Sequence, residues 1–175
     1  EKLLDLSRRD AGAPRALSRV DLGEAAAATS RLLTPLAAKM GVQLSCSAES
    51  DCLVTASEDE LYQIVFNLAE NAVKYNVEGG EVAIDVRRGE KRVLLTVEDT
   101  GIGIPREDLP HIFERFYRVD KARSREKGGS GLGLSIVHDA VVSLGGEIEV
   151  AAREGQGTRF TVSFPPAAEE GGGEL

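Results

Sequence analysis

One helical stripe carries side chains that could hold a metal ion against phosphate. Asn67, Asn71 and Lys74 in the segment NLAENAVKY are spaced i, i+4 and i+7, which places them on one face of a helix. An amide oxygen is a hard ligand suited to Mg²⁺, and a lysine on the same stripe can meet a phosphate. A solvated polar helix face would carry the same residues, so the stripe alone leaves both interpretations open.

Two glycine-rich segments could surround a ligand at the ends of regular elements. DTGIGIP, residues 99–105, follows a predicted strand, and Asp99 there could accept a hydrogen bond from an exocyclic amine or simply form a turn. GGSGLGL, residues 128–134, precedes a predicted helix. Glycines there let backbone N–H groups approach a phosphate, and the helix dipole favours its charge. Neither the P-loop nor the dinucleotide-binding pattern is present, so each segment alone is weak evidence.

The elements that must position these segments alternate between helices and pairs of strands. Capping patterns begin helices at Asp21 and Ser57, each with Glu three residues later, and the helices run to about residues 40 and 75. A third helix covers 132–146. Strands are predicted at 42–47, 52–56, 81–88, 92–99, 146–153 and 157–165. This order predicts an α+β two-layer sandwich, a mixed sheet of about five to six strands with three main helices on one face. A doubly wound fold is disfavoured because paired strands follow each other without crossover helices.

Composition narrows the class of partner. The net charge of −8 disfavours nonspecific binding to nucleic acid or anionic lipid. The sequence has no run of about 20 apolar residues and no signal-peptide apolar region at its start. Cys46 and Cys52 flank a predicted turn and could face each other across a hairpin. We expect them to be reduced, structural thiols, because two cysteines with no histidine nearby make no metal site.

Taken together and in order, the three segments resemble the N, G1 and G2 boxes of the catalytic domain of sensor histidine kinases. FERFYRVD, residues 113–120, resembles the F box of that family and lies between the two glycine segments. The resemblance runs from about residue 20 to 165. It implies the ATPase (Bergerat) fold shared with gyrases and chaperones, with ATP and Mg²⁺ as cofactors. It also implies transfer of the γ-phosphate to a histidine, for relay to a response-regulator aspartate.

The resemblance also implies roles for individual residues. Asn71 would ligate Mg²⁺, Asn67 would lie close to the metal and the γ-phosphate, and Lys74 would reach phosphate. Asp99 would accept the adenine amine, and Tyr75 would pack beside the base. The remaining candidates for nucleotide contact are Gly101, Gly103, Ile104, Phe116, Ser130, Gly131, Leu132, Gly133, Leu134 and Thr158.

Residues 113–130 are expected to form the ATP lid, which concentrates positive charge in an acidic chain. Its basic residues are Arg115, Arg118, Lys121, Arg123, Arg125 and Lys127, and such a cluster creates a local positive potential for a triphosphate. Arg118 is our first candidate for γ-phosphate contact and Lys121 the second. The last three basic residues fit a solvated loop equally well.

Asn67 separates the kinase hypothesis from hydrolysis. Related gyrase-type ATPases place a glutamate base four residues before the metal-binding asparagine, whereas an amide cannot take a proton at neutral pH. Glu70 is turned about 100° around the helix from Asn71 and is a poorer base. Asn67 and Lys74, whose roles the resemblance implies, and Arg118 of the basic lid are the predicted catalytic residues. The alternatives are a serine kinase of the anti-sigma-factor type, a self-sufficient ATPase, or a degenerate nucleotide-sensing module.

The phosphoacceptor is expected to lie elsewhere. His111 and His138 lack the family's acceptor pattern, and we interpret both as structural or solvated. Residues 1–9 are predicted to end a dimerisation helix, 10–19 to form a linker, 20–165 the catalytic domain and 166–175 a disordered tail. The expected partners are the homodimeric dimerisation domain and a response regulator. We expect a monomeric fragment, the cytoplasmic domain of a parent anchored in the bacterial plasma membrane.

Overall fold

The computed structural model describes residues 16–119, 133–153 and 155–168. Its elements in chain order are β1 (Ser18–Asp21), α1 (Leu22–Lys39), β2 (Gln43–Ala48), β3 (Leu53–Ala56), α2 (Glu58–Lys74), β4 (Glu81–Arg88), β5 (Val93–Asp99), a 3₁₀ helix (Leu109–His111), α3 (Gly133–Ser143), β6 (Glu147–Arg153) and β7 (Gly157–Phe164). The three predicted helices are present, and α2 ends one residue before the predicted Tyr75.

The main sheet is mixed, as predicted. Its five strands lie in the order β2-β4-β5-β7-β6. β2 and β4 run parallel, whereas the other neighbouring pairs are antiparallel. A parallel pair needs a crossover connection, which β3 and α2 provide. This crossover brings the C-terminus of α2 to the end of the sheet at which β4 begins and β5 ends.

A second sheet of two strands was not predicted. β1 pairs antiparallel with β3, with Ser18 opposite Ala56 and Asp21 opposite Leu53. The possible hairpin between the strands at 42–47 and 52–56 is therefore not formed, because β2 pairs with β4 and β3 with β1. Cys46 lies half-buried in β2 and Cys52 is buried just before β3, and both are free thiols. Burial raises the pKa of each thiol above its ordinary value.

One face of the main sheet packs against the helices. Residues at every second position of β4 and β5 are buried, and so are the apolar positions that recur along α2. Burying each such side chain contributes about 1.5–3 kcal/mol. The buried residues of these elements include Val82, Ile84, Val86, Val93, Leu95, Val97, Leu61, Ile64, Val65 and Leu68. This layer confirms helices on one face and fixes the orientation of α2.

The helix starts agree only in part with the predicted caps. The Asp21 carboxylate accepts a hydrogen bond from the Gly23 N–H at 2.8 Å, so the first cap is confirmed. Ser57 is the N-cap residue of α2, but its side chain makes no capping hydrogen bond. The Ser57 side-chain half of the predicted capping box is therefore not formed, and Glu60, its predicted partner, is buried.

The ends of the chain lie largely outside the described residues. β1 begins inside the predicted linker, and Ala167, at the start of the predicted tail, donates its N–H to the Leu53 carbonyl at 2.8 Å. The predictions for residues 1–15 and 169–175 fall outside the described part of the chain. Among residues 16–119, 133–153 and 155–168, none of the helices combines the length and apolar character needed to cross a membrane.

Candidate functional site

Asp99 ends β5 in a largely buried position. It lies opposite Val82 of β4 and Thr158 of β7. Its Oδ1 accepts a hydrogen bond from the Gly101 N–H at 2.8 Å, and the backbone N–H of Thr158 also donates to the carboxylate. Burial raises the pKa of Asp99 to about 6, against the lowering effect of these two hydrogen bonds. At neutral pH the carboxylate is therefore mainly ionised and can accept a hydrogen bond from an amine.

Two glycines permit the close packing around Asp99. Gly157 has φ of +99°, and a Cβ there would lie 2.0 Å from the Asp99 carbonyl oxygen. A Cβ on Gly101 would lie 2.5 Å from the Tyr75 carbonyl oxygen. Gly157 was not among the predicted site residues. Its sequence context, GQGTRF before a strand, carried the signal, because glycine before a strand often marks close backbone approach.

The C-terminus of α2 contacts the loop that follows Asp99. Tyr75 is the C-cap residue of α2, and its carbonyl accepts a hydrogen bond from the Ile102 N–H at 3.2 Å. The Ile102 carbonyl in turn accepts one from the Gly155 N–H at 2.7 Å. Gly103 has φ of +71°, and half-buried Ile104 packs against the core. The structure thus brings predicted residues of the N and G1 boxes and the β6–β7 turn together.

The polar face of α2 has one side chain fixed by its own helix. Asn67 is only 5% exposed, and its Nδ2 donates to the Gln63 carbonyl at 2.9 Å. Asn71 is half-buried. Lys74 Nζ lies 3.4 Å from Glu70 Oε1, an ion pair that was not predicted although its i, i+4 spacing is typical of helices. The amide oxygens, rather than carboxylates, are the hard ligands that this face offers at positions 67 and 71.

The first residues of the predicted lid contact α3 and β7. The ring of Phe113 lies 5.2 Å from that of His138 and 6.4 Å from that of Phe160. Arg115 lies 3.8 Å from the Asp139 carboxylate. α3 itself packs against α2. These contacts place the start of the F box next to the helix that begins with Gly133 and Leu134.

A small polar cluster stabilises the same segment. The Tyr117 hydroxyl donates a hydrogen bond to Asp108, which raises the pKa of Tyr117 to about 12. His111 Nδ1 lies 2.8 Å from a Glu114 carboxylate oxygen. His138 lies on α3 beside Phe113. Both histidines lie in local contacts, and their interpretation as structural or solvated side chains stays a prediction.

The remaining predicted nucleotide-contact residues lie partly inside and partly outside the described part of the chain. Phe116 has φ of +66° and is 65% exposed, and Arg118 is half-buried. Thr158 is buried opposite Asp99. Lys121, Ser130, Gly131 and Leu132 lie outside the described residues, as do Arg123, Arg125 and Lys127. The nucleotide contacts of all these residues stay predictions.

Comparison with known families agrees with this geometry. Residues 56–168 match the family described as histidine kinase-, DNA gyrase B- and HSP90-like ATPases. That match covers more than half of the chain and includes Asn67, Asn71, Asp99 and Thr158. The chain therefore belongs to this ATPase family.

Curated relatives and solved structures narrow the class. The chain is 40% identical over 172 residues to the sensor histidine kinase YkoH of Bacillus subtilis, covering 98% of this chain and 37% of the relative. It is 44% identical over 124 residues to WalK of the same organism, covering 70% of this chain and 20% of WalK. The chain therefore spans well under half the length of these relatives.

The fold matches solved catalytic domains of the same class. The catalytic domain of the histidine kinase ThkA is similar with a TM-score of 0.74 and 26% identity, covering 86% of this chain and 95% of ThkA's. Full-length ShkA in complex with AMPPNP is similar with a TM-score of 0.74 and 32% identity, covering 89% of this chain and 33% of ShkA's. The fold is the predicted histidine kinase ATPase sandwich, and the chain is the ATP-binding catalytic domain of a sensor histidine kinase.

Proposed function

We propose that this domain binds Mg-ATP and transfers the γ-phosphate to a histidine on a separate dimerisation domain, for relay to a response-regulator aspartate. One observation carries the choice of transfer over hydrolysis. Asn67 is buried on the α2 face, with Nδ2 donated to the Gln63 carbonyl. An amide stands where a water-activating carboxylate is needed, and it cannot take a proton at neutral pH.

Asp99 would bind the adenine end. Its ionised carboxylate would accept the exocyclic amine, while the Gly101 and Thr158 N–H groups keep the carboxylate in place. Tyr75 would pack beside the base, and Gly103 and Ile104 would shape the pocket. Thr158 would lie near the adenine, and Phe116 would also contact the nucleotide. Outside the described residues, Ser130 would contact the nucleotide and Gly131 and Leu132 would line its phosphate side.

Asn71 and Asn67 would hold Mg²⁺ through their amide oxygens. The donor set fits, because hard oxygen ligands suit this ion and Asn67 has already committed its Nδ2 to the Gln63 carbonyl. When bound, Mg²⁺ would offset negative charge on the β- and γ-phosphates. Gly133 and Leu134 at the start of α3 would bring backbone N–H groups toward the phosphates.

Lys74 and Arg118 would orient and neutralise the γ-phosphate, with Lys121 as a second contact. Lys74 pairs with Glu70 in this structure, so it would contact phosphate beside or in exchange for that carboxylate. A neutral imidazole nitrogen is nucleophilic without a base. Its bond to the γ-phosphorus would form as the bond from that phosphorus to the β–γ bridging oxygen breaks, and ADP would leave.

The proposed partners lie beyond this chain. A dimerisation domain would supply the acceptor histidine, in a homodimeric parent, and the fragment itself would be monomeric. ThkA has been solved in complex with the response regulator TrrA, and this chain is 25% identical to ThkA there, with a TM-score of 0.71, 86% of this chain covered and 42% of ThkA's. That relationship supports a response regulator as partner. We also propose a cytoplasmic position, in a parent anchored in the plasma membrane.

A reconstituted transfer reaction tests this function. The domain is mixed with the parent's dimerisation domain and radiolabelled ATP, and the matched control is a dimerisation domain with its acceptor histidine changed to glutamine. We expect acid-labile, alkali-stable label on the first and none on the second. Label on serine would favour the anti-sigma-type kinase. Rapid phosphate release without any acceptor would favour the self-sufficient ATPase.

A further inference from the structure

Asn76 is a buried amide directly after the N box, and no role has been assigned to it so far. It follows the C-cap residue Tyr75 and is only 8% exposed. Its Nδ2 donates to the Glu81 carbonyl at 3.0 Å, and its Oδ1 accepts from the Val77 N–H at 2.8 Å. A buried amide bonded at both ends fixes the geometry of the groups that it joins. Here it joins the end of α2 to the first residue of β4.

The peptide groups of Glu81 also join this region to the Asp99 loop. The Glu81 N–H donates to Thr100 Oγ1 at 2.9 Å, and the Glu81 carbonyl accepts from the Thr100 N–H at 3.1 Å. That carbonyl thus receives one donor from Asn76 and one from the residue after Asp99. A carbonyl has two lone pairs, and both of these donors can therefore be accommodated.

Steric contacts leave little freedom at the same junction. A Cβ on Gly80 would lie 2.1 Å from Asn76 Oδ1. A Cβ on Gly101 would lie 2.9 Å from the Asn76 Cα and 2.9 Å from Asp99 Oδ1. The Asp99 loop is therefore pressed against the backbone of Asn76, and a shift of that backbone would move the loop.

We propose that Asn76 is a positioning residue for nucleotide binding, whose amide sets the spacing between the Asp99 loop and the polar face of α2. Asp99 would contact the base and Asn71 the metal, so this spacing must match the length from adenine to phosphate. Asn76 touches neither group and acts through Glu81 and Tyr75. The proposal deepens the proposed function and rests on the adenine role given there to Asp99.

Asn76→Ala tests this positioning role against a purely structural one. Calorimetry measures ADP affinity, carboxyl NMR measures the pKa of Asp99, and thermal unfolding measures stability. The control is Val86→Ala, a fully buried core truncation toward the other end of β4. We expect Asn76→Ala to weaken ADP binding about tenfold and to move the Asp99 pKa toward its ordinary value, because water reaches the loosened loop. Val86→Ala should lower the unfolding temperature and leave both other quantities unchanged.

Two outcomes overturn the inference. One is an Asn76→Ala protein that loses thermal stability like the control while its ADP affinity and Asp99 pKa stay as in the wild type. If Asn76→Ala does not fold, the same measurements are made on Thr100→Val. This variant removes only the hydroxyl that accepts the Glu81 N–H. The same two changes are then expected at smaller size, and their absence is the second outcome. Wild-type protein that binds nucleotide but transfers nothing contradicts the proposed function alone.

Discussion

The proposed adenine end and the proposed phosphate end of the site are built from different parts of the chain. At the adenine end, backbone N–H groups of Gly101 and Thr158 hold the Asp99 carboxylate, and glycine lets neighbouring backbones meet. At the phosphate end, Asn67, Asn71 and Lys74 are side chains on one helix. The first end depends on how several segments pack together, and the second on residue type at helical positions.

This difference predicts different consequences for substitution. Changes at the adenine end that touch the backbone should reduce stability and binding together. Changes of side chains on α2 should alter chemistry while the fold persists, because the apolar face of that helix supplies its packing. The effects of substitutions at the two ends can therefore be distinguished by measuring unfolding, nucleotide affinity and phosphotransfer on the same variants.

Gly157→Ala should have the largest effect. A left-handed backbone costs an alanine about 1–2 kcal/mol, and overpacking against the Asp99 carbonyl should add about 1–3 kcal/mol. We expect a destabilised protein that no longer binds ATP measurably. Gly155→Ala is the matched control, since Gly155 has φ of +77° but no heavy atom within 4 Å of its added Cβ. Equal losses in the two variants, measured by denaturant unfolding, would contradict the close-packing explanation.

Asn71→Ala should abolish phosphotransfer while the domain stays folded. Loss of the proposed Mg²⁺ ligand should lower the transfer rate by about 10²–10³-fold, the scale seen when one charge-stabilising group is removed. The reconstituted transfer reaction measures the rate, and circular dichroism checks the fold. Transfer at the wild-type rate would exclude Asn71 as a metal ligand.

Asp99→Asn should weaken ATP binding without comparable loss of stability. A charge-assisted hydrogen bond contributes about 1.5–3 kcal/mol, so we expect affinity to fall about 10- to 150-fold. Isothermal calorimetry with ATP measures this directly, and GTP serves as a ligand that lacks the adenine amine. Unchanged ATP affinity in the variant would refute the proposed role of Asp99 in adenine recognition.

The pKa of Asp99 also predicts a pH dependence. Protonation removes the acceptor, so nucleotide affinity should fall as pH drops below about 6. The free energy of unfolding should depend on pH in the opposite direction to nucleotide affinity. The folded state holds this proton more tightly than the unfolded state, so the Asp99 contribution to stability decreases as pH rises from 3.8 to about 6. In ADP titrations from about pH 5 to pH 8, wild-type affinity should fall toward acidic pH, whereas the weaker affinity of Asp99→Asn should stay flat. The two proteins should therefore differ most at neutral pH and converge in the acidic range, and parallel curves would contradict the assignment.

The features of the fold and the candidate site that depend on neighbouring residues could be predicted from the sequence. Those that depend on contacts between distant segments could not. The 3.6-residue period of α2 and the glycine segments depend on neighbouring residues, and they led to the helix face and to Asp99. The pairing of four-residue β1 with β3 depends on contacts about 35 residues apart. Gly157 and Asn76 were missed for the same reason. The close approach at Gly157 depends on the register that sets Asp99 opposite Thr158, and the hydrogen bonds of Asn76 depend on the position of Glu81 beside Thr100.

Glu70→Gln should have the smallest effect and sharpens the assignment of the phosphate end. Loss of the ion pair with Lys74, 3.4 Å apart, should cost at most about 0.5 kcal/mol of stability. Without the Glu70 carboxylate, Lys74 would be more available to phosphate, and we expect ATP affinity to rise about two- to fivefold.

Lys74→Met should weaken ATP binding and serves as the paired control. Phosphate release without an acceptor should stay at the wild-type level, because Glu70 is not the proposed base. If phosphate release without an acceptor were lost in Glu70→Gln, Glu70 would be the base that activates water, and the ATPase alternative would be favoured.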